Sequence, residues 1–389
     1  MPIINRVAEF HEELTAIRRD IHAHPELGFE VHRTAALVVE NLEKYGVDEI
    51  VTGIGRTGVV AVIKGKTNKS GRVIGLRADM DALPITEAQP SDHKSTVDGV
   101  MHACGHDGHT TILLGAAKYL AETRNFDGTA IMIFQPAEEG GGGGREMVND
   151  GMMERFGIQE VYGLHNAPGK PKGEFAIRPG SLMAAADFFE IEIKGKGGHA
   201  ARPHLGVDPI IVGTALVQAL QTIAARSVDP LESVVVSVTM FHAGDATNVI
   251  PQTASLAGTA RTLTAEVRDL VEKRMGEICE SVGATFGAKV TFNYRREYPI
   301  TINNPERTDF AIEVAKAIVG EDKVEENVAP VMGGEDFSFM LNERPGAYIF
   351  LGQGDTAGVH HPDYDFDDDI IPIGTSYMVK LVETSMPAE

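Results

Sequence analysis

Cysteine occurs only twice in the 389 residues, at Cys104 and Cys279, which excludes a disulfide framework and suits a reducing compartment. Basic residues are outnumbered, 35 Lys and Arg against 56 Asp and Glu. The formal charge of -21 argues against nucleic acid and anionic membranes as partners, since both are held by clustered cations. Long apolar runs are also lacking: no stretch approaches the length of a bilayer span. No signal-peptide core follows Met1-Pro2-Ile3, because Glu9, His11, Glu12 and Glu13 come too soon. The expectation is a cytoplasmic protein with neither membrane nor nucleic-acid partners. With 43% hydrophobic and 23% charged residues the composition is that of a folded globular chain, and its length calls for two domains.

Against this plain background stands His102-Ala-Cys104-Gly-His106-Asp107-Gly-His109. Thiolate, imidazole and carboxylate are the groups that hold zinc and similar divalent ions. A spacing of two puts Cys104 and His106 on the same side of an extended or turning segment. For a lone histidine the commoner reading is a structural or solvated side chain; four potential ligands within eight residues reverse it. Cys279 lies in a helix-like stretch and reads as a small buried hydrophobe.

From 58 to 165 short apolar runs (58–63, 73–76, 130–134, 161–164) alternate with helix-like stretches, one of them at about 110–122, which is α/β order. Asp79 and Asp81, Glu138 and Glu139, and His165 each follow an apolar run, and open α/β sheets bind ligands beyond their strand ends. Between 184 and 297 the order becomes strand, helix, strand, strand, helix, strand, which is ferredoxin-like; α/β order then resumes. The expected division is a catalytic domain from 1–183 plus 298–389, with residues 184–297 inserted as a second domain.

The glycines at 140–144 are not followed by the Lys-Ser/Thr of a phosphate loop. They read instead as close backbone approach beside a crowded site. Glu138 and Glu139 need a compensating cation if both are buried, and one could then ligate while the other takes a proton from water. The bland alternative for the pair is a solvated loop. His165 and His360-His361-Pro362 bring further imidazoles, so that ligands arrive from four separate segments.

These segments, with Gln135-Pro-Ala-Glu-Glu139, Gly163-Leu-His-Asn166, Gly197-Gly-His-Ala-Ala-Arg-Pro-His204, Gly333-Gly-Glu-Asp-Phe337, His24-Pro-Glu-Leu-Gly-Phe-Glu30 and Arg77-Ala-Asp-Met-Asp-Ala-Leu-Pro84, resemble the metal-dependent amidohydrolases and metallopeptidases that include hippurate hydrolase, auxin-conjugate hydrolase, N-acyl-L-amino acid amidohydrolase and aminoacylase. The resemblance runs in order along nearly the whole chain. It implies a di-metal aminopeptidase-like catalytic domain with an inserted ferredoxin-like lid and dimerisation domain. It also implies two divalent ions per subunit (zinc, manganese, nickel or cobalt) on Cys104, His106, Glu139, His165 and His360, with Glu138 as general acid/base. His361 stands where the family usually has Asn or Ser, so either histidine of the pair could ligate. Asp81 matches an aspartate that orients a ligand, while Asp79 replaces a ligating histidine of peptidase relatives. His199 matches a residue that stabilises the oxyanion, reaching the partner subunit of a homodimer. Asn248 and Arg261 are candidates for a substrate carboxylate; an exposed salt bridge is the plain reading of Arg261.

The function implied is hydrolysis of the amide of an N-acyl-L-amino acid by metal-activated water, with a metallo-carboxypeptidase or dipeptidase as alternative. Two rivals remain: a hydrolase using Cys104 as nucleophile with His106 or His109 as base, and a non-catalytic metal-dependent binder. His102 and His109 are assigned flanking roles.

Overall fold

Apolar runs in the two outer parts of the sequence become the strands of one sheet. In the computed structural model, which describes residues 3–388, eight strands lie side by side in the order Glu49–Ile54, Gly58–Lys64, Thr129–Gln135, Val73–Asp79, Glu160–Pro168, Gly346–Gly354, Phe175–Ala176 and Val324–Glu325. The four from Thr129–Gln135 to Gly346–Gly354 are mutually parallel. They are buried along most of their length, as parallel strands covered on both faces must be. Helices His11–Ala23, His106–Thr123 and Ile371–Ser385 contribute Leu14, Ile112, Leu113, Ala116, Met378 and Val382 to the same core as the strand residues Leu76, Met132 and Ile349.

Helix His106–Thr123 starts four residues before the apolar periodicity does. Its first turn holds His106, Asp107 and His109, all buried, and buried polar groups are tolerated when they are hydrogen-bonded. Asp107 meets His22 Nδ1 at 2.8 Å and His109 meets Asp79 at 2.6 Å. The helix therefore begins on polar residues that periodicity alone does not register.

A second unit comprises Met183–Thr301 and Pro330–Glu335, and the first unit the remainder. The second is an inserted ferredoxin-like domain. Its sheet runs Val234–Ala243, Thr253–Thr262, Ala185–Lys194, Lys289–Tyr298, antiparallel throughout. Strand Ala185–Lys194 alternates buried and exposed residues, and Phe189, Ile191 and Ile193 pack in one cluster with Leu216 and Leu220 of helix Pro209–Thr222 and Val271 and Met275 of helix Ala265–Phe286. Asp208 and Thr264 cap the two helices by accepting from the backbone N–H groups of Ile210 and Val267.

Two features depart from expectation. Residues Pro330–Glu335 join the second unit because Ala184 N donates to Val331 O and Gly333 O, a pairing between positions some 150 apart that no local pattern announces. Residues Pro209–Ser227, moreover, are long and apolar enough by length and composition to cross a membrane. Their apolar content is explained on one side by packing on the sheet of the unit, through Val212, Leu216, Leu220 and Ile223.

Candidate metal centre and catalytic site

All the ligand candidates lie in the first unit, near the carboxyl ends of its parallel strands. Asp79 ends one strand and Asp81 follows it; Glu138 and Glu139 follow the strand that ends at Gln135. His165 sits within its strand, opposite Phe350, and not beyond its end, because pairing continues to Pro168 on the residues after it. Cys104 and His106 flank the N-terminus of the His106 helix.

These segments converge. Cys104, His106 and His165 present ligand atoms within 4.8 Å of one another, as do Cys104, Glu139 and His360, and also His106, Glu138 and Glu139. Cys104 Sγ lies 3.5 Å from His165 Nε2, and His360 Nε2 lies 3.3 Å from Glu139 Oε1. His361 turns away, its Nδ1 accepting from Asp363 N, so the structure brings His360 and not its neighbour to the cluster. His360 does this with φ at 65°, and Ala137 beside Glu138 has φ at 54°. Non-glycine residues held in the left-handed region are strained, and such strain gathers at functional sites.

The donor set fits a pair of divalent ions. His106 donates its Nδ1–H to Asp81 O at 2.8 Å and His165 donates its own to Asn166 O at 2.7 Å. A carbonyl only accepts, so in both rings Nδ1 is committed as a donor and Nε2 is the nitrogen left to ligate, which is how ligating histidines are oriented. His106 Nε2 is buried without a hydrogen-bond partner, an expensive condition unless something else binds it. Burial, with the His109 ring close by, holds His165 down to about 3, so it is neutral. Burial together with Glu139 and Glu138 pushes the Cys104 thiol well above its usual value; without a cation it is a poor nucleophile. His109, a base candidate in the cysteine-hydrolase reading, is committed elsewhere, between Asp79 and Asn166.

Asp81 has two tasks here. Its backbone carbonyl takes His106, and its carboxylate accepts from Glu138 N and Glu139 N, each at 3.0 Å. Asp79, His106 and His109 form another close group, yet both Asp79 oxygens are engaged, one by His109 Nδ1 and the other by Arg77 Nη1 at 2.8 Å. His109 therefore does more than flank: fully buried, it ties Asp79 to Asn166 and lies with its ring 4.6 Å from that of His165. Its spacing of three from His106 on one helix was the available signal. His102 is buried with both ring nitrogens unpartnered, and burial, only partly offset by Asp107, lowers its pKa to about 3.

His199, Asn248 and Arg261 belong to the second unit. His199 pairs with Val249 between the short strands Gly198–His199 and Val249–Ile250, and Asn248 O accepts from Ala200 N. Both side chains are exposed. His199 Nδ1 accepts from Ala201 N at 3.1 Å, which leaves Nε2–H as a donor. Arg261 lies 5.7 Å from the Phe188 ring centroid, partly buried, and among the described residues it forms no ion pair with a carboxylate.

The family model described as peptidase family M20/M25/M40 matches residues 75–384. The chain belongs to that family. It is 43% identical over 381 residues to the hippurate hydrolase of Campylobacter jejuni, covering 98% of each chain, and 40% identical over 380 residues to the thermostable carboxypeptidase 2 of Saccharolobus solfataricus, covering 95% of this chain and 94% of the relative. Among solved structures, a dinuclear metal-binding peptidase of the M20 family from Bacillus subtilis superposes with a TM-score of 0.84 at 35% identity, over 97% of this chain and 99% of the other. The protein is thus an M20-family hydrolase, and the mixed α/β fold with an inserted domain is the fold of that family.

Proposed function

We propose that this M20-family hydrolase cleaves the amide bond of N-acyl-L-amino acids, hippurate-like or N-acetylated, to a carboxylic acid and a free amino acid. The observation that carries the reading is Glu138. It is buried, adjacent to Glu139, and its ligand atom lies within 4.8 Å of those of Glu139 and His106; a binder has no use for a second buried carboxylate there.

Cys104, His106, Glu139, His165 and His360 would hold two divalent ions, zinc, manganese, nickel or cobalt. Such ions supply Lewis-acid polarisation of the carbonyl and a more acidic water. Glu138 takes the proton of the attacking water and returns it to the departing amine nitrogen, so that one carboxyl group serves both halves of the reaction. Asp81 keeps Glu138 and Glu139 in place through their backbone N–H groups. The Nε2–H of His199 donates to the oxyanion as it forms. Arg261 and Asn248 take the carboxylate of the amino-acid portion, for which a planar guanidinium lacking an ion-pair partner is suited.

We infer a homodimer in which the partner subunit's His199 serves the oxyanion. Strand Val234–Ala243 is a sheet edge with Met240 and Phe241 exposed, and helix Pro209–Ser227, apolar as it is, is only 28% buried. Exposed edges and apolar faces of this kind call for cover.

The second reading, a metallo-carboxypeptidase or dipeptidase, rests on the 40% identity to a carboxypeptidase. Hydrolysis of N-benzoyl, N-acetyl and dipeptide substrates in added manganese, zinc, nickel or cobalt separates the two. Turnover of N-acyl amino acids well above dipeptides is expected; dipeptide cleavage alone would replace the first reading by the second.

A further inference from the structure

We propose that Asp336, in Gly333-Gly-Glu-Asp-Phe337, is a positioning residue that sets the loop carrying Glu138; the inference rests on the acid/base reading of Glu138. Asp336 is fully buried and stands about 200 positions from the loop it holds. Its Oδ1 accepts from Gln135 Nε2 at 2.7 Å and from Arg77 Nη2 at 2.9 Å, and its Oδ2 accepts from Gly144 N at 2.8 Å. Gln135 is the last residue before the loop and Gly144 lies in the first turn of the helix after it. One carboxylate therefore grips both ends of the segment whose middle Asp81 holds through Glu138 N and Glu139 N.

The glycine run makes this grip possible. A Cβ on Gly143 would lie 1.7 Å from Pro136 O, and one on Gly144 would lie 2.6 Å from Asp336 O. At Gly143 and Gly144 the loop thus closes on itself and on Asp336 with no room for a side chain.

Charge fits the same role. Arg77, 1% exposed, is shared between Asp336 and Asp79, and Asp79 in turn holds His109. Arg77 thereby compensates two buried carboxylates, as burial requires, while Glu138 and Glu335 bring carboxylate oxygens within 4.8 Å of those of Asp336. The chain of contacts ends on the one side at the Glu138 loop and on the other at the helix that begins with His106. Displacing a reacting group by about 1 Å can cost on the order of a hundredfold in rate, so a residue that touches no substrate can still control turnover.

The test is Asp336→Asn, which keeps the shape and removes the charge, read three ways in the metal-loaded enzyme. Amide hydrogen exchange of the peptide spanning 136–144 should quicken while that of strand Val73–Asp79 stays unchanged. kcat on an N-acyl amino acid should fall about 10- to 100-fold with KM little altered. In a Glu138→Asp background the same substitution should cost far less than in the wild type, since residues acting as a unit are non-additive. Unchanged loop exchange together with kcat within threefold of wild type overturns the proposal, and so does a loss that multiplies fully with that of Glu138→Asp. Should Asp336→Asn not fold, Gly144→Ala presses on the same contact without touching the buried charge and must show the same three effects. Full turnover in Glu138→Asp and Glu138→Ala would instead overturn the acid/base reading; the exchange measurement still decides whether Asp336 holds the loop.

Discussion

Cys104 Sγ lies 3.5 Å from His165 Nε2, and the two come from segments sixty positions apart. A buried thiol and a neutral, half-buried imidazole brought this close, with Glu139 and His360 in a second close group around Cys104, are the proposed ligand pair. Cys104→Ala should lower bound metal by about one ion per subunit and reduce turnover at least 100-fold, a loss at or beyond the upper end of what disturbing a mere supporting residue costs. Elemental analysis after dialysis, alongside the assay, checks both. Full metal content with lost activity would return Cys104 to the role of nucleophile.

Arg261 should act on binding more than on chemistry. Arg261→Ala is expected to raise KM for N-acyl amino acids about 10- to 100-fold, in line with the loss of a charge-assisted contact. The same substitution should change little for the corresponding N-acyl amino-acid amides, which lack the carboxylate. Equal losses on both substrates would make Arg261 a structural residue, held by Thr259 and the Phe188 ring, and not part of the substrate grip.

Stability should carry a pH signature from His22. Burial alone would lower its pKa, but hydrogen bonds to Asp107 and Glu87 outweigh this and raise it to about 9. A histidine raised from about 6.5 on folding stabilises the protein fully below pH 6.5 and loses that contribution as pH climbs towards 9. The total is on the order of 3 kcal/mol. Denaturant midpoints at saturating metal should fall across this window in the wild type more than in His22→Gln. Parallel curves for the two proteins would show that His22 carries no such linkage.

Much of the architecture was legible because periodicity and spacing are local. The alternating strand Ala185–Lys194 and the helix Ala265–Phe286 could be read from their own residues, and the ligand candidates announced themselves by residue type. What stayed hidden depends on partners distant in sequence. Asp336 gains meaning only from Gly144, Gln135 and Arg77, and the polar first turn of the His106 helix only from Asp79 and His22. His109 looked secondary for the same reason. Its importance lies in what it bridges, and neither Asp79 nor Asn166 is near it in the chain.

Glu138 carries the proposed chemistry. Glu138→Ala should retain the metal content of the wild type, because Cys104, His106, Glu139, His165 and His360 remain, while turnover of an N-acyl amino acid falls about 10²- to 10⁴-fold, the usual worth of a general acid/base. Measuring bound metal and kcat on the same preparation is the direct test. Intact metal with collapsed turnover is the predicted result; intact metal with unchanged turnover would contradict the mechanism.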